Sequence, residues 1–409
     1  MMTSRQVALE AIRRKLVGKK LSYREYYAII NEMVHGGLDD VAMAHFAAVG
    51  FNQRFNNKEL YYLTKAMIET GDKLKFSGIV ADKHSVGGIP GYRTTLVIVP
   101  IVAAAGLKIP KTSTRAITSP AGTADVMEVL AKVDFSPEAI KKMVEKVGGC
   151  IVWGGAMYLA PADSKIIKMG RSLAFESYDK IVASVMAKKI AAGVTHLVVD
   201  VPYGRKAKIK SLKYALLIEK KIKFLAKKFG LKVVVEKAAL DWPIGHGVGS
   251  VLEARDCLRV LQQKENRSMD LETRALELAG SLLQLCGKKR ELAKELLVSG
   301  KAFEKMREII FAQKGRFVDS EELRPGEMAV AIKSGKIGLI KEIVNRNIVQ
   351  LCRVLGAPKD KKAGMYLRKR IGEEVKKGEA LFSFYSSDKI KLGKAKRELK
   401  KGLEIYKID

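Results

Sequence analysis

A glycine-studded loop that runs straight into an unbroken apolar stretch of helix length constrains this chain more than any other feature. The loop is Asp82-Lys-His-Ser-Val-Gly-Gly-Ile-Pro-Gly-Tyr-Arg-Thr-Thr95, and the stretch runs from Leu96 to Ala105. Glycines at 87, 88 and 91 let the backbone approach a ligand closely, and the apolar run predicts a helix buried on all sides. A helix N-terminus aimed at such a loop binds an anion through its free N–H groups and the helix dipole. Lys83, His84, Ser85, Thr94 and Thr95 add side-chain donors.

A second segment has the same character: Ser113-Thr-Arg-Ala-Ile-Thr-Ser-Pro-Ala-Gly-Thr-Ala-Asp-Val-Met-Glu128. Ser113, Thr114, Arg115, Thr118, Ser119 and Thr123 supply far more hydroxyl and charge than a plain turn requires. Neither segment is a Walker loop, since no Gly-Lys-Ser/Thr closes the first, and neither carries Gly-x-Gly-x-x-Gly. Together they read as an anion cradle.

Periodicity places the cradle in an α/β context. From Thr3 to about Asp72 the pattern is helical, with capping boxes at Ser22-x-x-Glu25 and Asn56-x-x-Glu59. Strand and helix then alternate to Trp153, where Ser136-Pro137 starts a helix, Gly148-Gly149 ends it and Cys150 to Trp153 forms a buried strand. Residues 163–193 return to helix; His196 to Val201 and Leu231 to Val235 are further core strands around a helix near 209–229. The sheet is expected to be mixed. Helices fill 250–313, and the tail from Pro325 alternates short strands and turns, as in Gly378-Glu-Ala-Leu-Phe-Ser-Phe-Tyr385. No internal repeat is present.

Composition limits the partners. Lys and Arg number 75 against 44 acids, a formal charge of +31, yet the excess is spread from Lys15 to Lys407 without interleaved aromatics. That distribution favours a solvated lysine-rich face over a nucleic-acid surface. No apolar stretch reaches the roughly 18 to 20 residues of a membrane span, and the N-terminus lacks the apolar core of a signal peptide. The expected location is cytoplasmic, with no membrane partner. Cys150, Cys257, Cys286 and Cys352 are far apart and read as buried thiols, and no His, Cys or carboxylate cluster has metal-ligand spacing. His35, His45, His196 and His246 lack partner spacing and read as structural, and Gly245, Gly247 and Gly249 read as a packing turn.

Lys83-His84-Ser85-x-Gly87-Gly88, with Ser113-x-Arg115 through Gly122-Thr123-x-Asp125-x-x-Glu128, resembles the thymidine and pyrimidine nucleoside phosphorylase family. The closer likeness is to its archaeal AMP phosphorylase branch. That branch shares the wording His-Ser-Val-Gly-Gly-x-Pro-Gly, Arg-Ala-Ile-Thr-Ser-x-Ala-Gly-Thr-Ala-Asp and, at 148–156, Gly-Gly-Cys-x-Val-Trp-Gly-Gly-Ala. Leu159-Ala-Pro-Ala-Asp163, Ala183-Ser-Val-Met-Ala-Lys-Lys189 and Pro243-Ile-Gly-x-Gly-x-Gly before Leu252-Glu-Ala-Arg-Asp256 extend it along nearly the whole chain.

The resemblance implies a fold of type II nucleoside phosphorylase kind, α/β and α+β. A small helical domain (1–72, with the insertion 163–193) would close over a larger mixed-sheet α/β phosphate-binding domain (73–162 and 194–322), followed by a C-terminal α+β domain (323–409). The chain begins at the helical domain, without the extra N-terminal domain of the AMP branch, so a homodimer is the expected assembly. It implies inorganic phosphate as co-substrate, held by Lys83, Ser85, Thr95, Ser113 and Thr123, and no cofactor. Gly88, the run Thr114, Arg115, Ala116, Ile117, Thr118 and Ser119, then Thr123, Ser184 and Lys208 match positions that contact the nucleotide. Ser184 and Lys188, four apart on a helix, share one face and suit a planar base. Arg171 corresponds either to the base-binding arginine of the pyrimidine enzymes or to a contact with a 5′-phosphate.

One departure stands out. Glu176, in Arg171-Ser-Leu-Ala-Phe-Glu-Ser-Tyr, replaces the aspartate that serves as proton donor in the AMP branch. The added methylene moves the carboxyl by about 1.5 Å, and a misplacement of about 1 Å can cost on the order of a hundredfold in rate. Either the loop compensates or the role has moved to His84 or Asp179. The implied reaction is phosphorolysis of a nucleoside 5′-monophosphate, with thymidine or uridine phosphorolysis as the alternative. A phosphoribosyltransferase, or a basic nucleic-acid-binding protein on a decayed phosphorylase fold, are the remaining readings.

Overall fold

Four helices open the chain: α1 (Ser4–Leu16), α2 (Tyr23–His35), α3 (Asp40–Asn52) and α4 (Asn57–Glu69). The structure is a computed structural model that describes residues 2–52, 55–116, 119–155, 157–172, 177–240, 242–316 and 319–409, with backbone alone at 50–52, 168 and 170–172. Both capping boxes form as the sequence predicts, Ser22 with Glu25 and Asn56 with Glu59, and Thr3 with Gln6 makes a third. The apolar faces converge on Ile12, Tyr26, Phe46 and Leu63. Within that core Lys15 Nζ sits 2.6 Å from Glu59 Oε1, a buried pair whose carboxylate also accepts from Leu21 N and Tyr26 Oη.

The alternating region follows as β1 (Ala81–Ser85), α5 (Thr95–Ala104), β2 (Ile109–Ser113), α6 (Thr123–Met127), α7 (Pro137–Val147) and β3 (Gly149–Trp153). After two helices, α8 (Pro161–Ser172) and α9 (Tyr178–Ala191), come β4 (His196–Tyr203), α10 (Leu212–Phe229) and β5 (Lys232–Ala239). β2 pairs with β3, β1 with β4, and β4 with β5, all parallel, and a parallel bridge between Val80 and Lys108 joins the two groups in the order β3-β2-β1-β4-β5. The α/β class holds, but the sheet expected to be mixed is parallel in its described pairs. The cause is the connections: a helical segment carries the chain back between successive strands, the kind of crossover that parallel pairing requires.

Alternation along the strands divides the packing. Leu197, Val199 and Val201 face the core shared with α1–α4, α9 and α10, whereas Val198 and Ala81 face α5 and the helices that follow the sheet. α5 is buried from Thr95 to Ala103, as its composition predicts. α8 and α9, although inserted between two strands, pack on α2, α3 and α4.

Beyond the sheet come β6 (Gly247–Val248), α11 (Ser250–Leu261), α12 (Met269–Leu285), α13 (Leu292–Val298) and α14 (Lys301–Ala312). The tail contains β7 (Met328–Lys333), β8 (Gly338–Ile343), α15 (Asn345–Leu355), β9 (Gly364–Leu367), β10 (Glu374–Val375), β11 (Ala380–Ser386), α16 (Lys389–Lys400) and β12 (Tyr406–Ile408). Its sheets, β6-β9-β11-β7 and β10-β8-β12, are antiparallel and enclose a separate core around Ile343, Leu351 and Phe384. β6 stitches the tail to the middle of the chain. All four cysteines are buried thiols. Among the described residues no helix is long and apolar enough to cross a membrane.

Candidate functional site

Ligands of parallel sheets bind beyond the carboxyl ends of the strands, where the chain reverses its direction of winding. Here the winding runs from β1 to β2 to β3 and then returns across β1 to β4, so the reversal lies at the end of β1. Both glycine-rich segments occupy that end. Because strand side chains alternate, Lys83 points to one face of the sheet while Asp82 and His84 point to the other.

On the first face, Lys83 Nζ donates to Thr94 Oγ1 at 2.7 Å, lies 3.5 Å from Asp200 Oδ2 and sits over the Tyr92 ring. Arg274 donates to both Asp200 (2.7 Å) and Tyr92 Oη (2.9 Å), closing the group. Lys83 is 2% exposed, and burial pulls its pKa down to about 8 against the opposing attraction of Asp200. Thr94 and Thr95 begin α5, so the lysine stands at a helix N-terminus. Arg93 binds the next segment: its guanidinium donates to Glu253 (2.6 Å), to Thr123 Oγ1 (3.0 Å) and to the Ala121 carbonyl (2.8 Å). Thr123 opens α6, and Ala124 N reaches the Thr114 carbonyl beside Ser113 at the end of β2. Ser85 ends β1, its hydroxyl accepting from Gly87 N at 3.3 Å. The segments carrying Lys83, Ser85, Thr95, Ser113 and Thr123 are thus tied together at one end of the sheet.

On the second face, Asp82 lies between Lys189 Nζ (2.6 Å) and Lys111 Nζ (3.3 Å). Burial, then Lys189, Lys111, Lys188 and Lys83, push the His84 imidazole well below its usual range, so it is neutral at physiological pH. Lys188 Nζ pairs with Asp163 at 2.8 Å, and Ser184 lies one turn earlier on α9, half-buried. Asp179 is committed elsewhere: its carboxylate accepts from Phe55 N at 2.9 Å and pairs with Lys221. Glu176, Ile117 and Thr118 lie outside the described residues, as does the side chain of Arg171, whose backbone belongs to α8.

The loop after β2 is held by one carboxylate. Asp125 Oδ2 accepts from Ala116 N (2.6 Å) and Gly122 N (2.8 Å). Thr114 is exposed, and Ser119 Oγ donates to the Ala121 carbonyl. Arg115 donates to Glu128 at 2.6 Å, lies 3.4 Å from Asp134 and stacks on Trp153, so its guanidinium is engaged by protein groups. Gly88 has φ +96°, and a Cβ there would come within 2.5 Å of Lys208 Cβ, so this position admits no side chain. A cavity of about 240 Å3 opens at this contact, lined among others by Gly88, Ser119, Lys206, Lys208, Lys210 and Arg346. Three predicted nucleotide residues, Gly88, Ser119 and Lys208, therefore meet in one place.

Sequence reasoning passed over Arg93, Lys111, Asp200, Arg274 and Arg346. Asp200 did leave a signal, a carboxylate inside the apolar run from Leu197 to Val201, since such a residue is buried only when paired. Arg346 left none, because the tail that carries it is distant in sequence. Among the described residues no group of three metal-capable side chains is assembled.

Residues 77–303 match the glycosyl transferase family a/b domain, residues 9–71 the helical bundle domain of the same family, and residues 339–406 the pyrimidine nucleoside phosphorylase C-terminal domain. A putative thymidine phosphorylase of Legionella pneumophila is 44% identical over 385 residues, 93% of this chain and 74% of the relative. The AMP phosphorylase of Methanocaldococcus jannaschii is 42% identical over 395 residues, 95% of this chain and 78% of the relative. The crystal structure of anthranilate phosphoribosyltransferase from Thermus thermophilus covers 75% of this chain and 99% of its own, with a TM-score of 0.62 at 17% identity, a likeness of fold.

Proposed function

The chain belongs to the glycosyl transferase family that includes the thymidine and AMP phosphorylases, and on that footing we propose that it cleaves nucleoside 5′-monophosphates with inorganic phosphate. An oxygen of phosphate attacks the anomeric carbon, the bond from that carbon to the base nitrogen breaks, and the base leaves with a proton from an acid. The products are free base and ribose 1,5-bisphosphate. Preorganised charge does most of the work in such a step. Lys83 and the N-terminus of α5 supply it beneath the sugar.

The observation that carries the reading is the cationic cavity beside Gly88. Lys208, Lys210 and Arg346 line it with Ser119, while Lys206 is turned to Glu342 at 2.8 Å. A nucleoside ends in a neutral 5′-hydroxyl, whereas a 5′-phosphate carries the charge that a lining of lysine and arginine side chains attracts. Glu176 is assigned as the acid by its sequence position. His84 carries no spare proton as a neutral imidazole beyond its single N–H, and Asp179 is spent on Phe55 and Lys221.

The test is phosphate-dependent release of base from AMP, CMP, UMP, thymidine and uridine in parallel, without added metal and again with EDTA. Release from the monophosphates supports the proposal. Release from thymidine alone would replace it with the activity named for the Legionella relative, and release from uridine, again without the monophosphates, would replace it with a nucleoside phosphorylase reading. No release from any of the five would remove both.

A further inference from the structure

We propose that Lys361, on the connection between α15 and β9, is a positioning residue for the substrate segment at Ala116 and Gly122, so that the C-terminal part of the chain sets the geometry of the site. The observation is an ion-pair junction. Lys361 Nζ donates to Asp125 Oδ1 at 2.8 Å and lies 2.8 Å from Glu128 Oε2. Asp125 is buried, and its other oxygen already accepts from Ala116 N and Gly122 N. One carboxylate therefore closes the loop on one side and is neutralised from the C-terminal part on the other.

Two features make this a positioning device. The Lys361 backbone is fixed: its carbonyl accepts from Val251 N at 3.1 Å, at the start of α11, and the adjacent Lys362 carbonyl accepts from Gly326 N at 2.9 Å. Glu128 is in addition shared, lying 2.6 Å from Arg115 Nη1. Arg115 and then Lys361 hold the Glu128 carboxyl below its usual range, so both cations favour its charged form. Without Lys361, Asp125 keeps its two N–H donors and faces Arg115 at 3.9 Å, and Glu128 and Asp125 are left to share that guanidinium. A loop whose staple is electrostatically unbalanced shifts or loosens.

The inference rests on the reading of 113–123 as the substrate loop, and its test has one arm that does not. Amide hydrogen exchange in Lys361→Met and Lys361→Gln is expected to rise at Ala116 and Gly122 while α5 and β4 keep wild-type protection. In steady-state assays with whichever substrate the protein turns over, KM for that substrate is expected to rise roughly three- to thirty-fold, more than kcat falls, and Lys361→Arg is expected to restore most of it. Wild-type exchange at both amides would overturn the coupling even if no substrate is ever found. Faster exchange across the whole chain would make Lys361 a general structural residue and overturn positioning. Faster exchange at Ala116 and Gly122 with unchanged KM would leave the loop reading, not the contact, at fault, and would likewise overturn the positioning role.

Discussion

Lys189 Nζ lies 2.6 Å from Asp82 Oδ2, and both side chains are closed off from solvent. Lys111 reaches the other Asp82 oxygen at 3.3 Å, so a single carboxylate answers two ammonium groups behind His84. Burial pushes Lys189 down and Asp82 holds it up. Asp82→Asn leaves both cations uncompensated, and breaking a buried pair from one side costs about 3–5 kcal/mol. Urea unfolding is the measurement. Lys189→Met, which leaves Asp82 with Lys111, is expected to cost less, and equal losses for the two variants would show that the pair does not carry the charge balance.

Lys83 gives a pH dependence with a definite sign. Its pKa in the free protein is about 8, lowered by burial, so it loses its charge as pH rises through 8. Phosphate gains negative charge over the same interval and cannot itself weaken an attraction to cations. The ratio kcat/KM for phosphate, which reports the free enzyme, is therefore expected to fall above about pH 8, while kcat, measured with the anion bound beside the lysine, holds to higher pH. A kcat/KM profile flat to pH 10 would take Lys83 out of the phosphate site.

Arg346 offers a test that separates nucleotides from nucleosides as substrates. It is exposed, on the first turn of α15, and lines the cavity with Lys208 and Lys210. Arg346→Ala is expected to raise KM for a nucleoside monophosphate by roughly five- to thirty-fold, the range for losing a charge-assisted contact discounted for exposure. KM for the matching nucleoside should stay within about twofold, since its 5′-hydroxyl makes no ionic contact. Equal effects on both would mean that the cavity does not hold the 5′-phosphate.

What the sequence made legible follows from the range of each signal. The capping boxes at Ser22 and Asn56, the stop at Gly148 and the buried run from Leu96 are local patterns, and each appears where the residues place it. Gly88, Ser119 and Lys208 were marked through family wording and do converge. Strand direction was not legible, because parallel pairing depends on how crossovers run and not on any one strand. Nor was the division of Lys83 from His84, which follows from alternation along a strand whose register only its neighbours fix. The partners of Arg115 were not legible either: it pairs with Glu128 and Asp134 and lies over Trp153. Long-range pairs such as Lys361 with Asp125 have no sequence signature at all.

The proton donor can be identified by comparing two variants. Burial and four lysines hold the His84 imidazole far below 6.5, so at neutral pH it has no ionisable proton to give and no imidazolium limb should appear in the pH profile. The same shift has a sign for stability: the unfolded chain takes up a proton near 6.5 while the folded chain resists it, so the His84 contribution is lost as pH falls below that value. Glu176→Gln keeps the side chain's size and removes its acid, and is expected to lower kcat by roughly a hundred- to ten-thousandfold with KM within a few-fold, the signature of an interaction made in the transition state. A base that leaves readily without protonation should recover part of that loss. His84→Gln, which keeps an N–H donor, is expected to lower kcat by less than about tenfold, the cost of a displaced neutral hydrogen bond. If the ranking reverses, the histidine carries the proton with a pKa raised by bound substrate, and the extra methylene of Glu176 has moved the family's acid out of reach.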